Sequence, residues 1–95
     1  VNCGAIPADL AESTLFGHER GAFTGADRLH RGVVEQVSDG TLFLDEVAEL
    51  TPALQVKLLR LVQERNYTRV GGDQVMPFRG RVVAANSATA RESAM

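Results

Sequence analysis

Tryptophan is absent from this 95-residue sequence, tyrosine occurs once and aromatics are only 5% of it, so any core has to be built from Leu, Val, Ala and a few Phe. Cys3 is the only cysteine. It excludes an internal disulfide or a multi-cysteine zinc site and fits a reducing, cytoplasmic setting. No apolar run approaches the roughly 20 residues that cross a bilayer, which excludes a membrane-spanning helix. The opening residues do not read as a signal peptide. The formal charge of −2 argues against a surface that holds nucleic acid by bulk charge. Internal repeats and low-complexity tracts are also missing. What is present is ordinary for a globular protein: 44% apolar and 23% charged residues disfavour disorder, collagen and a coiled coil. The length fits one domain or a piece of one. Val1-Asn2-Cys3 reads as the end of a strand, so an excerpt from a longer polypeptide is expected.

Helical spacing runs through Ala5 to Phe16, with Pro7 placed to suit a first turn and Gly17 to stop it. Gly17 to Gly32 is rich in Gly, Thr and charge and reads as a long excursion with one exposed aromatic, Phe23. A short helical piece is expected over Gly32 to Val37, followed by a turn at Ser38-Asp39-Gly40. Thr41-Leu42-Phe43-Leu44 reads as a strand buried on both faces of a parallel sheet. Thr51-Pro52 opens the clearest helix, Ala53 to about Arg65, with Leu54, Val56, Leu58, Leu59, Leu61 and Val62 as its apolar face. Tyr67 to Val70 reads as a short strand closed by Gly71-Gly72-Asp73, with a hairpin-like stretch from Gln74 to Phe78. Arg81 to Ala85 is a second buried strand, and strands interleaved with helices indicate a parallel α/β sheet.

Chemistry concentrates where the first apolar strand runs into Asp45-Glu46. Open α/β sheets bind ligands at the C-terminal ends of their strands. Two carboxylates there are either a solvated pair opening a loop, or a site where Asp45 holds a nucleotide's magnesium and Glu46 polarises the attacking water. The two readings are evenly balanced on these residues alone. In Gly21-Ala22-Phe23-Thr24-Gly25-Ala26, Phe23 either meets an apolar partner or folds back onto the body, and energetics alone favour the second. Asn86 and Ser87 follow the second buried strand and, if the two strands run parallel in one sheet, are expected near Asp45 and Glu46. They either hold water or a γ-phosphate, or simply end the strand, which spacing alone makes commoner. Asn2 either orients Glu46 or satisfies backbone groups. Arg69 either touches phosphate or a neighbouring subunit, or is solvated. His18 and His30 lack partners at zinc spacing, and Cys3 reads as a small core residue.

In order, Asn2-Cys3-Gly4-Ala5, Glu12 to Glu19, Gly21 to Ala26, Gly40 to Glu46, Leu54 to Arg60 and Arg69-Val70-Gly71-Gly72 cover nearly the whole chain. This constellation resembles the central AAA+ ATPase domain of bacterial enhancer-binding proteins, the activators of sigma-54 RNA polymerase. The hexapeptide Gly-Ala-Phe-Thr-Gly-Ala is nearly private to that family. The resemblance implies a fragment of an AAA+ P-loop core, a parallel sheet flanked by helices with two inserted surface loops, in which residues 1–95 are the middle part. It implies ATP and Mg2+ as ligands, with Asp45 and Glu46 as the Walker B pair and Asn2 as the residue that switches Glu46 with nucleotide state. It also implies that Gly21, Ala22, Phe23, Thr24, Gly25 and Ala26 contact the sigma-54 holoenzyme. Arg69, Val70, Gly71 and Gly72 would lie in a second loop that moves with the first. Self-association into a ring, usually a hexamer, is implied, as is promoter or enhancer DNA binding through the full-length protein.

The sequence departs from the family at several positions. A gap-free register sets Ser87 rather than Asn86 at the sensor I asparagine, and adjacent strand residues point to opposite faces. Asp39 replaces a common Gly, and Ala88 to Met95 depart from the usual continuation. No Gly-x-x-x-x-Gly-Lys-Ser/Thr phosphate loop occurs in the sequence. The arginine fingers and the lid are expected beyond Met95. The 95 residues alone are therefore expected to hydrolyse ATP negligibly. The competing reading is a hydrolysis-deficient module of the same ancestry that merely presents the Phe23 loop. A weaker one is an unrelated α/β domain holding a divalent metal at Asp45-Glu46.

Overall fold

The computed structural model describes residues 1–86 and 91–94, with residue 86 and residues 91–94 described by backbone alone. The Asn86 side chain and Ser87 therefore lie outside the described residues. Thr51 accepts a hydrogen bond from Leu54 N through its side chain, Pro52 fills the first helical position, and helix α3 runs from Pro52 to Glu64. Leu54, Leu58 and Leu61 are its buried side chains, and their spacing of three and four residues makes one stripe. Val56 and Leu59, expected on that stripe, point outward and are 55% and 45% exposed. The apolar face is narrower than the composition suggests.

Strand β1 (Thr41–Leu44) pairs in parallel with β4 (Arg81–Asn86), Thr41 opposite Arg81 through Leu44 opposite Ala84. On its other side β1 meets the chain start: Asp45 N donates to Val1 O at 2.8 Å, and Cys3 N donates to Asp45 O at 2.9 Å. A third strand, β5 (Arg91–Ala94), lies antiparallel to β4. Asn66–Tyr67 (β2) and Met76–Pro77 (β3) form a separate antiparallel hairpin. Leu42, Leu44 and Val82 pack with Leu15, Phe16, Val34, Leu58 and Leu61 in one buried cluster. The expectation that Thr41–Leu44 is buried on both faces is corrected. Leu42 and Leu44 are inside, but Thr41 is exposed and Phe43 is 58% exposed, because the described helices pack on one face only.

The helix expected over Ala5 to Phe16 is also shorter than its periodicity suggested. Asn2 Oδ1 accepts from Gly4 N and folds Cys3–Ala5 into a 3-10 turn. Ile6 then turns extended, at φ −92° and ψ 126°, as a residue before proline is pushed to do. Helix α1 spans Ala11–Phe16, and Gly17, at φ 79°, ends it. Helix α2 (Val33–Gln36) leads through the Ser38–Gly40 turn directly into β1.

Candidate functional site

Asp45 and Glu46 leave β1 at the edge where β4 also ends, just past the Leu44–Ala84 pair. Asn2 bridges Asp45 in parallel, so three polar residues from two segments converge there. Asp45 is exposed and accepts from Glu46 N through Oδ1 at 2.9 Å. Glu46 sits in the left-handed region at φ 56° and ψ 45°. A non-glycine residue held there is costly and tends to mark a working site. Gly4 supplies the room. A methyl group on it would overlap Glu46 Oε2 and stand 3.3 Å from Asn2 Oδ1, so the Glu46 carboxylate and the Asn2 amide border one space. Gly4 was not singled out as a site residue; the sequence signal was a glycine two places after Asn2. Burial pushes the Cys3 thiol above its ordinary value, which suits its packed position.

Magnesium is a hard cation that keeps waters and is usually held by one or two carboxylates together with substrate phosphates. Asp45 at an open edge fits that role. Among the described residues no group of three or more potential metal ligands occurs. An ion held by Asp45 would therefore need further ligands from outside these residues. Gly4→Ala is expected to displace the Glu46 carboxylate, because the added methyl group would overlap its Oε2. A crystal structure of the variant checks this; an unmoved carboxylate contradicts the shared space.

The second constellation is the loop. Gly21 N donates to Ala26 O at 2.9 Å and Ala26 N to Phe23 O at 3.0 Å, so Gly21 to Ala26 is a tight closed tip. Gly21 and Gly25 have φ of 81° and 94°, and a side chain on either would meet nothing. These glycines therefore serve backbone freedom rather than packing. Ala26 is buried and Thr24 exposed. Phe23 takes an intermediate course between the two expectations: 43% exposed, it leans edge-on against the His18 ring.

Residues 17–19 bind both the return limb of this loop and the second loop. His18 exchanges two backbone hydrogen bonds with His30, Val70 N donates to Gly17 O, and Glu19 N donates to Val70 O. A methyl group on Gly71 would come within 2.6 Å of Ala22 Cβ, so the two loops touch. Arg69 is corrected most. Rather than being solvated, it is an internal clamp with 11% of its side chain exposed. Its Nη1 donates to Glu19 Oε2 at 3.0 Å, while Nε and Nη2 donate to Glu35 Oε1 at 3.2 and 2.8 Å. The bond to Glu19 raises the Arg69 pKa, burial opposes it, and Glu35 adds to the rise. Glu19 and Glu35 escaped the sequence reading as site residues because they meet Arg69 across 50 and 34 residues.

The family model for the sigma-54 interaction domain matches residues 1–95. The regulatory protein AtoC of Escherichia coli (strain K12) is 52% identical over 87 residues, covering 92% of this chain and 19% of AtoC. The transcriptional activator HyfR of the same organism is 55% identical over 87 residues, covering 92% of this chain and 13% of HyfR. The chain therefore spans less than a fifth of the length of these relatives. NtrX from Brucella abortus has a similar structure, with a TM-score of 0.81 at 30% identity over 90% of this chain and 18% of NtrX. NtrX has also been solved in complex with ATP, where the TM-score is 0.77 over 90% of this chain and 17% of that one. Matched from end to end by the family model and half identical to its activators, this chain belongs to the sigma-54 interaction domain family and forms a fragment of an AAA+ P-loop core.

Proposed function

We propose that residues 1–95 are the middle part of an ATP-dependent transcription activator, joining its nucleotide edge to the loop that engages sigma-54 RNA polymerase holoenzyme. The phosphate loop, arginine fingers and lid would come from outside residues 1–95. The observation that carries this reading is the Arg69 clamp. It ties the base of the Phe23 loop (Glu19) and the second loop to α2 (Glu35), and α2 runs through one turn into β1 and Asp45-Glu46. A displacement at the strand end thus has a short covalent and ion-paired route to the loop. A ligand shifts only equilibria whose states it distinguishes, and here the γ-phosphate is the distinguishing contact.

Asp45 would hold Mg2+ beside phosphate and water, and that ion, when bound, neutralises phosphate charge. Glu46 orients and polarises the attacking water. Asn2, whose Oδ1 is engaged by Gly4 N at 2.9 Å, borders the same space and sets the Glu46 carboxylate according to nucleotide state. Asn86, which ends β4, or Ser87 after it would sense the γ-phosphate. Phe23 and Thr24 meet the polymerase, with Gly21, Ala22, Gly25 and Ala26 shaping the tip and Val70, Gly71 and Gly72 moving beside it. Hydrolysis would withdraw the tip and drive promoter opening. The working form would be a cytoplasmic ring, a hexamer, that reaches promoter or enhancer DNA through the rest of the protein.

Thr24→Ala tests the loop assignment. The exposed tip position predicts near-normal ATP turnover in the full-length protein and loss of sigma-54 capture in a pull-down with an ATP transition-state analogue. Preserved capture and transcription activation contradict the assignment.

A further inference from the structure

We propose that His18 is a positioning residue that latches the Phe23 ring to the body of the protein, holding the loop tip back until the latch is released. The inference rests on Phe23 being the polymerase contact. Its physical part stands on geometry alone. Two side-chain neighbours and an anchored backbone position the His18 ring. Its Nδ1 is hydrogen-bonded to Ser13 Oγ of α1, its centroid lies 5.3 Å from that of the His30 ring with the planes at 30°, and its backbone is bridged to both His30 and Val70. The ring is thus a fixed platform. Phe23 meets it edge-on, with centroids 4.9 Å apart and planes at 68°. That is the arrangement in which a ring's positive edge faces a negative π-surface.

The contact is built to open. Phe23 is already 43% exposed, so water reaches the ring while it is docked. The tip's hinges, Gly21 and Gly25, have positive φ and open space around them. An aromatic pair of this kind biases a two-state equilibrium by about two- to tenfold. This is enough to suppress premature engagement and small enough for nucleotide-driven movement to overcome. His18 also bridges Val70 of the second loop, so a shift of that loop acts directly on the platform.

Two substitutions in the full-length protein separate the ring from its anchor. His18→Asn keeps a polar atom for Ser13 but removes the ring, whereas His18→Phe keeps a ring and removes the hydrogen bond. With 4-trifluoromethylphenylalanine incorporated at position 23, His18→Asn should move the fluorine resonance to its solvent-exposed position and narrow it. Nucleotide-free capture of sigma-54 holoenzyme should rise about two- to tenfold. His18→Phe should restore the docked resonance and the low capture. A resonance unmoved by His18→Asn overturns the latch. If His18→Asn fails to fold, Phe23→Leu should shift the 13C-labelled His18 ring signals, and unshifted signals overturn the latch as well. A moved resonance with capture unchanged in every variant would establish the latch and refute the polymerase-contact reading instead.

Discussion

Glu46→Gln in the full-length protein is expected to bind ATP within about twofold of the native protein and to hydrolyse it about 10²–10⁴ times more slowly, the usual contribution of a positioned general base. Glutamine preserves the length and shape of the side chain, so the left-handed backbone and the space over Gly4 survive. What it loses is the negative charge that polarises water. Asp45 is untouched, and with it the carboxylate that would face the magnesium. Single-turnover hydrolysis and a fluorescent-nucleotide titration separate the two effects. Unchanged turnover would remove Glu46 from the catalytic role. Loss of binding would instead place it among the nucleotide ligands.

The second large effect is expected at Arg69. Arg69→Ala takes the shared cation from the Glu19 and Glu35 carboxylates, 32% and 20% exposed, and leaves Glu35, among the described residues, only its ion pair with Arg31 at 3.4 Å. Removing one partner of a hydrogen-bonded charge cluster is costlier than the cluster is worth, because the remaining charges stay desolvated. Because both carboxylates are partly wet, the loss is about 2–3 kcal/mol, readable as a lower urea midpoint with the slope unchanged. Functionally, ATP turnover should persist while sigma-54 capture no longer depends on nucleotide, since α2 and the two loops would no longer move together. Arg69→Lys should rescue little, because one ammonium cannot match the guanidinium fork that reaches Glu19 and Glu35 at once. If Arg69→Ala keeps nucleotide-dependent capture, the clamp is structural only.

Features set by local rules were legible in the sequence. Thr51-Pro52 announced the start of α3, Gly17 announced the end of α1, and the two apolar runs at Leu42 and Val82 pair in parallel as read. Where two local rules compete, periodicity misled: Ala5 to Phe16 has helical spacing, but the Ile6-Pro7 step and the Asn2 cap broke it. The outward Phe43, Val56 and Leu59 show a different limit, because composition says that a residue is apolar and not which neighbour covers it. Asp45, Glu46 and Asn2 were found because a strand end next to carboxylates is a local pattern. Gly4 needed the fold, since its value lies in an absent methyl group facing Glu46. Arg69 was noticed but its role was not. A cation's partner 34 or 50 residues away leaves no trace in its own neighbourhood.

The central claim is that nucleotide at the Asp45-Glu46 edge changes the posture of the Phe23 loop. Spin labels at the exposed positions Thr24 and Gln63, the second on the outside of α3, would report it by pulsed dipolar spectroscopy in the full-length protein. The predicted result is one distance distribution with ADP and a distinct one with an ATP transition-state analogue, the difference vanishing in Arg69→Ala. A single distribution in the nucleotide-free, ADP and transition-state-analogue forms of the native protein would contradict it.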